Sequence, residues 1–482
     1  MNNGSKPDQR PAASIFKVLM SLLHYKGASK WDPSQFKFLV SAAAAASSSP
    51  LGGSGAEYTE QLHGSRPKQK PKQIAGIDQE EVDDPTLLAD SDSCFCEFNG
   101  VHIHHKIFDA ELSAPDTLVE KSTPQSLDST KRVNFPMILL HGFGASLFSW
   151  NRVMKPLAQV AGSKVLAFDR PAFGLTSRVN AIKHSSSGNH DSRPLNPYST
   201  MFSALATLHF VEFLAAQKAI LVGYIIVRHS AGALIAVDAY FEAPERVAAL
   251  ILVAPAIIAP LAMRNIVRDN KDGIKNQVQG NSPDSNTFGN LFFRFCSILS
   301  KLTKIIAEVI VRMVKGMAVM ISSVYKNALS AILRSAFGVM VVRMISSKFG
   351  IQAVRAAWYD SNQVSDHVVQ GYTKPMKVKG WDKALVEYTV AMLTDSASEP
   401  KKLSEISCPV LIVTGDTDRL VPSWNSEKLS RAIPGSAFEM IKNCGHLPQE
   451  EKPEEFVSIV DKFLQRVFAV TEEEQHMQAV IT

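Results

Sequence analysis

The sequence predicts an α/β fold: a mostly parallel central sheet flanked by helices, with one large helical insertion. Three observations carry this. From Asn134 onward, short aliphatic runs alternate with amphipathic stretches, as expected of strands buried on both faces. Residues with catalytic chemistry fall just after several of those runs, where open parallel sheets bind ligands. A long stretch that reads as helices separates the run ending near Ala254 from the run starting at Pro409. Composition agrees, since 45% of the 482 residues are hydrophobic and 20% charged, which excludes a wholly disordered or fibrous chain. The net charge of +5, from 51 basic and 46 acidic residues, is too mild to indicate nucleic-acid binding. Five scattered cysteines do not form a disulfide framework and suit a reducing compartment. The longest charge-free apolar stretch, residues 247–263, is broken by Pro255 and Pro260 and falls short of the ~20 residues that cross a bilayer. The chain reads as soluble or peripheral.

Taken in order, residues 1–93 read as a disordered region. They hold an Ala/Ser/Pro/Gly-rich tract (41–55), a basic run (66–72) and an acidic stretch (78–92). Up to Ala75, ten Lys/Arg stand against four Asp/Glu, the composition of a transit peptide, or of a tail with no address. Order is expected from Cys94. Residues 94–108 read as two strands joined by Asn99-Gly100, a turn that would pair Phe98 with Val101, Cys96 with Ile103 and Cys94 with His105. His102 and His104 then face away from both cysteines, which disfavours a closed zinc site. Strands are expected at 136–140, 164–169, 219–227, 247–253, 409–415 and 437–442, and helices at 199–217, 232–242, 424–433 and 453–467. Residues 181–196 read as a surface loop. The resulting domains are 94–256 and 406–470 for the two parts of the core, 257–405 for a helical lid, and 471–482 for a tail.

The chemistry-bearing residues sit at strand ends. His141-Gly-Phe-Gly144 follows the first core strand, and its glycines let backbone N–H groups approach a developing oxyanion. Asp169-Arg-Pro-Ala-Phe-Gly174 follows the second. Arg228-His-Ser-Ala-Gly232 leads straight into a helix, the setting that exposes a serine Oγ on a sharp strand-to-helix turn. Asp418 and His446 follow the last two strands, in the order Ser, Asp, His. Together these suit nucleophilic acyl transfer, in which a base takes the serine proton and a carboxylate fixes the base's tautomer. Asp416 is the second candidate for the acid.

On these motifs, with Val413-Thr-Gly-Asp-Thr-Asp-Arg-Leu-Val-Pro422 and Gly445-His-Leu-Pro-Gln-Glu-Glu-Lys-Pro453, residues 94–467 resemble the α/β-hydrolases of the large, lid-bearing type found in plants. The resemblance implies Ser230 as nucleophile, Asp418 as acid and His446 as base. It implies the N–H groups of Phe143 and Ala231 as oxyanion hole, with His141, Gly142 and His229 beside the substrate. It implies no metal or organic cofactor, and Ser230 argues against the members that place Asp at this position to open epoxides or remove halides. The sequence departs from the family's Gly-x-Ser-x-Gly elbow at one point. Residues 219–223 would continue naturally into His229-Ser-Ala-Gly232, but Tyr224-Ile-Ile-Val-Arg228 intervenes. Either 224–227 replaces 220–223 as the strand, or the extra residues bulge out.

Between Thr287 and Gly350 nine Lys/Arg stand against one acidic residue, Glu308, and five of the fifteen methionines lie there. From Phe295 to Met317, Phe295, Leu299, Leu302, Ile306, Val309 and Met313 share one helical face, opposite Lys301, Lys304, Glu308, Arg312 and Lys315. Such a helix covers the active site with its apolar face, or contacts anionic lipid. The expectation is a serine esterase of hydrophobic or lipid-like acyl substrates, in a chloroplast, in the cytoplasm or at a membrane. The alternative is a ligand-binding or receptor-like protein of low turnover, its elbow disturbed by residues 224–228.

Overall fold

The computed structural model describes residues 80–110, 133–179, 195–224, 232–256, 308, 311–313, 316–394 and 403–468, with backbone alone for 72–74, 77–79 and 469–481. The chain divides after Lys72, and the fold is that of the unit Gln73–Thr482. The expected transit-type composition up to Ala75 falls, apart from the backbone of 72–74, outside the described residues, as does nearly all of the 181–196 loop.

Eight strands form one sheet: β1 (Cys94–Phe98), β2 (Val101–Phe108), β3 (Met137–Leu140), β4 (Val165–Phe168), β5 (Ala219–Tyr224), β6 (Val247–Val253), β7 (Val410–Gly415) and β8 (Ala437–Ile441). Their order is β8-β7-β6-β5-β3-β4-β2-β1. The pairs from β8 to β4 are parallel, and β2 runs antiparallel to β4 and β1. Asn99 and Gly100 both take positive φ, 47° and 74°, as a two-residue hairpin turn requires, and the register pairs Phe98 with Val101 and Cys94 with His105. The hairpin histidines have protein partners: His104 Nδ1 donates to Asp169 at 2.6 Å, and Ser93 Oγ lies 2.8 Å from its Nε2.

Alternate residues of each parallel strand feed two cores. Ile138, Leu140 and Leu221 pack with α2 (Thr200–Phe213) and α3 (Gly232–Glu242) through Phe202, Phe210 and Ile235. Met137, Leu139 and Val222 pack on the other face with Trp150 and α1 (Met154–Ala161). Burial on both faces explains why these strands read as unbroken aliphatic runs.

Between β6 and β7 the described residues are largely helical: α4 (Val311–Arg334), α5 (Ala336–Ala357), α6 (Asp366–Thr373) and α7 (Trp381–Thr394). Then come α8 (Ser423–Ala432) and α9 (Pro453–Ile481). The last continues well past the expected end at Val467, because no Gly or Pro follows to stop it.

The expected boundary at Cys94 moves. Residues 80–93 are laid down against the helices before β7, because their acidic side chains find bases there. Glu81 accepts from Arg343 at 2.7 Å, and Asp90 pairs with Lys106 and Lys374. The Val82 N–H donates to Lys377 O and its carbonyl accepts from Lys379 N–H. These partners lie far away in sequence, so the stretch looks like a solvated tail when read alone.

Candidate active site

Asp418 and His446 come together from the loops after β7 and β8. His446 Nδ1–H donates to Asp418 Oδ2 at 2.7 Å, and both side chains are fully buried. Asp418 Oδ1 accepts two backbone N–H bonds, from Leu420 and Val421, each 2.8 Å. The carboxylate is therefore fixed in orientation and fixes the imidazole in turn. His446 Nε2 is buried and has no hydrogen-bond partner among the described residues. A neutral imidazole held in this tautomer presents a lone pair at Nε2, the atom that takes a nucleophile's proton. Asp416, the second candidate acid, instead accepts from Thr417 Oγ1 beside it and from the Cys444 N–H of the loop after β8.

The loop after β3 is pinned by His141. Its Nδ1–H donates to Gly142 O at 2.8 Å and its Nε2 accepts the Arg170 N–H at 3.0 Å. Burial and the nearby Arg170 guanidinium push its pKa down to about 3, so it is neutral and structural. Gly144 takes φ +70°, a conformation that L side chains rarely adopt. Asp169 ties the neighbouring turn, accepting the Leu147 and Leu175 N–H groups at 2.7 Å and the His104 imidazole. Burial pushes this carboxyl up, but the His104 imidazole and the Leu147 amide outweigh it and bring it to about 2. Phe143 thus sits on a braced loop at the carboxyl end of the sheet.

Ser230, His229 and Ala231 lie outside the described residues, but the two ends of their segment are described. A Cβ on Gly223 would come 2.3 Å from the Gly232 carbonyl carbon, and one on Gly232 would come 2.1 Å from Leu140 O. The two glycines touch, and α3 starts against the end of β3. The first accommodation expected of the longer segment is not the one seen: 224–227 does not replace 220–223 as the strand. Leu140 pairs with Gly223 and Tyr224 with Val253, so β5 keeps Ala219–Gly223 and adds Tyr224. The Tyr224 ring is buried edge-on against Trp150, in the core rather than in a bulge.

The loop after β3 packs on an aromatic cluster. Phe143, Phe173 and Tyr388 of α7 have centroids 4.8–6.0 Å apart. Arg170 lies over the Phe173 and Tyr388 rings and donates from Nη1 to Tyr388 Oη at 3.1 Å. Its position within a tight-turn motif gave no signal of this role.

Two further residues escaped the sequence reading. Glu450 is buried and accepts from Tyr372 Oη at 2.5 Å, and burial pushes its carboxyl up to about 8. Glu451 accepts from Gly445 N–H at 3.0 Å and Tyr359 N–H at 2.7 Å, so it clamps the histidine loop to the residues after α5. In sequence both belong to a charged run that reads as surface. His446 N–H also donates to Ala357 O, at the end of α5, at 2.7 Å. Among the described residues no three His, Cys, Asp or Glu side chains are grouped to hold a metal.

The family description "alpha/beta hydrolase fold" matches residues 136–453. Among curated proteins, the chain is 25% identical over 118 residues to the uncharacterized hydrolase YugF of Bacillus subtilis, covering 24% of this chain and 42% of that protein. It is 44% identical over 64 residues to a 2-hydroxy-6-oxononadienedioate/2-hydroxy-6-oxononatrienedioate hydrolase of Pseudomonas putida, covering 13% of this chain and 22% of that protein. The chain thus spans less than half the length of these relatives. Among solved structures, Cfl2 of Burkholderia cenocepacia has 18% identity and a TM-score of 0.47, covering 77% of this chain and 95% of the other. With the family match running from before β3 to the first residue of α9, the chain belongs to the alpha/beta-hydrolase-fold family.

Proposed function

We propose that the protein is a serine hydrolase of carboxylic esters with hydrophobic or lipid-like acyl groups. The observation that carries the reading is the buried Asp418–His446 pair, whose Nε2 has no partner among the described residues. In this reaction His446 Nε2 removes the Ser230 Oγ proton as Oγ attacks the ester carbonyl. The N–H groups of Phe143 and Ala231 hold the oxyanion, His446 returns the proton to the leaving alcohol, and water cleaves the acyl-enzyme by the same route. The aromatic cluster of Phe173 and Tyr388 behind Phe143 suits an apolar acyl chain better than a sugar. The helices between β6 and β7 cover the site, α5 as the fixed part of that cover, and the N-terminal composition suits delivery to a chloroplast.

A second reading, a ligand-binding protein of low turnover, has one observation in its favour. Gly223 and Gly232 are in contact, yet eight residues lie between them where the family's elbow has three. A displacement of ~1 Å at the serine can cost ~100-fold in rate. The two readings separate on labelling with a fluorophosphonate probe. Labelling of the parent, lost in Ser230→Ala, is the expected result for the hydrolase. An unlabelled parent that still binds fatty-acyl ligands would overturn it in favour of the binder.

A further inference from the structure

A helix on the surface of a globular protein normally buries one face against its neighbours. Helix α4 does so only in its second half, where Lys326, Leu329, Ser330 and Leu333 are covered on one side; every residue from Gly316 to Tyr325 is exposed, nearly three turns with no covered side. The exposed side chains are not those of a solvated helix, since Met313 is 64% exposed, Ile321 66% and Val324 63%. The exposed apolar groups are ordered. Met313, Met317, Met320 and Val324 follow at helical spacing, with Ile321 and Tyr325 beside them. Arg312, Ser322 and Lys326 fall on the opposite side, where Val311 and Val319 break the division. The start of α5 prolongs the surface, with Phe337, Met340 and Met344 exposed along one stripe before the exposed Lys348.

Both helices are long and apolar enough to cross a bilayer, with a mean hydropathy of 1.3 and 6% of each window buried. The placement of charge argues for lying in the membrane surface instead. Lys326 stands well inside α4, and Arg343 inside α5 is engaged by Glu81 and Asp382. Lys326, about 12 Å from the end of a ~36 Å helix, would lie within the hydrocarbon of a crossing orientation at a cost, whereas in the interfacial plane it reaches water or phosphate. Residues 287–350 carry nine Lys/Arg against Glu308; Arg312 pairs with Glu308, Arg334 with Glu387 and Arg343 with Glu81 and Asp382, and the six others favour an anionic surface.

We infer that α4 and the first half of α5 embed their apolar faces in the headgroup region of an anionic membrane. The site is separate from the catalytic chemistry, so it stands or falls independently of the reaction proposed above. The rest of α5 connects this surface to the His446 loop, because the helix ends at Ala357, whose carbonyl accepts the His446 N–H.

The test is flotation of the full chain with vesicles of phosphatidylcholine alone or with about a third phosphatidylglycerol, at low and high salt. The parent is expected to float with the anionic vesicles, less so at high salt. Met317→Ser/Ile321→Ser/Val324→Ser removes only exposed apolar groups and should lower the bound fraction at least ~10-fold with an unchanged melting curve. Arg312→Glu/Lys326→Glu should lower it on anionic vesicles, and Ser230→Ala should float like the parent. A parent that stays in the soluble fraction overturns the inference, as does a triple variant that floats undiminished. A parent dimer that the triple variant converts to monomer, without vesicle binding, would assign the face to a second copy of the chain and overturn it as well.

Discussion

The two halves of the candidate site are built differently. On one side, Asp418 and His446 stand on short loops after β7 and β8, and backbone hydrogen bonds fix each of them. On the other, β5 and α3 keep the close Gly223–Gly232 contact, but the chain joining them is longer than the family's elbow. The difference teaches that the scaffold of an elbow and the length of its turn are separable. Glycine contacts place the strand end and the helix start, and the number of residues between them then decides where the serine stands.

The largest effect should come from breaking the ordered half. Asp418→Asn leaves the imidazole without its carboxylate partner and should lower the labelling or ester-hydrolysis rate by about 10⁴, while Asp416→Asn should change it less than ~10-fold. Comparable losses from both would break the assignment of the acid.

The comparison is sharpened by repairing the other half. Deleting Ile225–His229 leaves Gly-Tyr-Ser-Ala-Gly and retains Tyr224, which the core needs. If the extra length displaces Ser230, second-order labelling should rise by about 100-fold. An unchanged or lower rate would show that the longer turn already presents the serine.

A third prediction concerns Glu450, beside the histidine loop. Its carboxyl goes from an ordinary value of 4.5 to about 8 on folding. Below pH 4.5 it is protonated in both states and nothing is lost. As pH rises to about 8 the unfolded chain ionises it while the folded protein does not, so stability falls across that window. Glu450→Gln should remove this slope, gaining on the order of 2 kcal/mol relative to the parent between pH 5 and pH 8 in denaturant midpoints. The smallest effect is expected at the acidic strap. Glu81→Gln removes one partly exposed partner of Arg343 and should cost about 0.5 kcal/mol, read as a small drop in Tm.

Much of this was legible in the sequence for local reasons. Asn99-Gly100 set the hairpin register because a two-residue turn allows one pairing. The aliphatic runs gave the parallel strands to within a few residues because both faces are buried. The resemblance implied Asp418 rather than Asp416 as the acid, and Asp418 is the carboxylate that His446 hydrogen-bonds. What escaped was non-local. Residues 80–93 are ordered by bases hundreds of positions away, and Glu450 is buried by packing that a charged run conceals. Periodicity in the basic helical region gave a face but not what lies against it, and only the structure shows α4 uncovered.

The hydrogen bond from His446 N–H to Ala357 O has a mechanical consequence. A helix whose last carbonyl is fastened to His446 cannot swing away as a flap without dragging that imidazole off Asp418. Helix α5 is thus a doorpost rather than a door, and any opening that admits a substrate has to be made by elements hinged elsewhere.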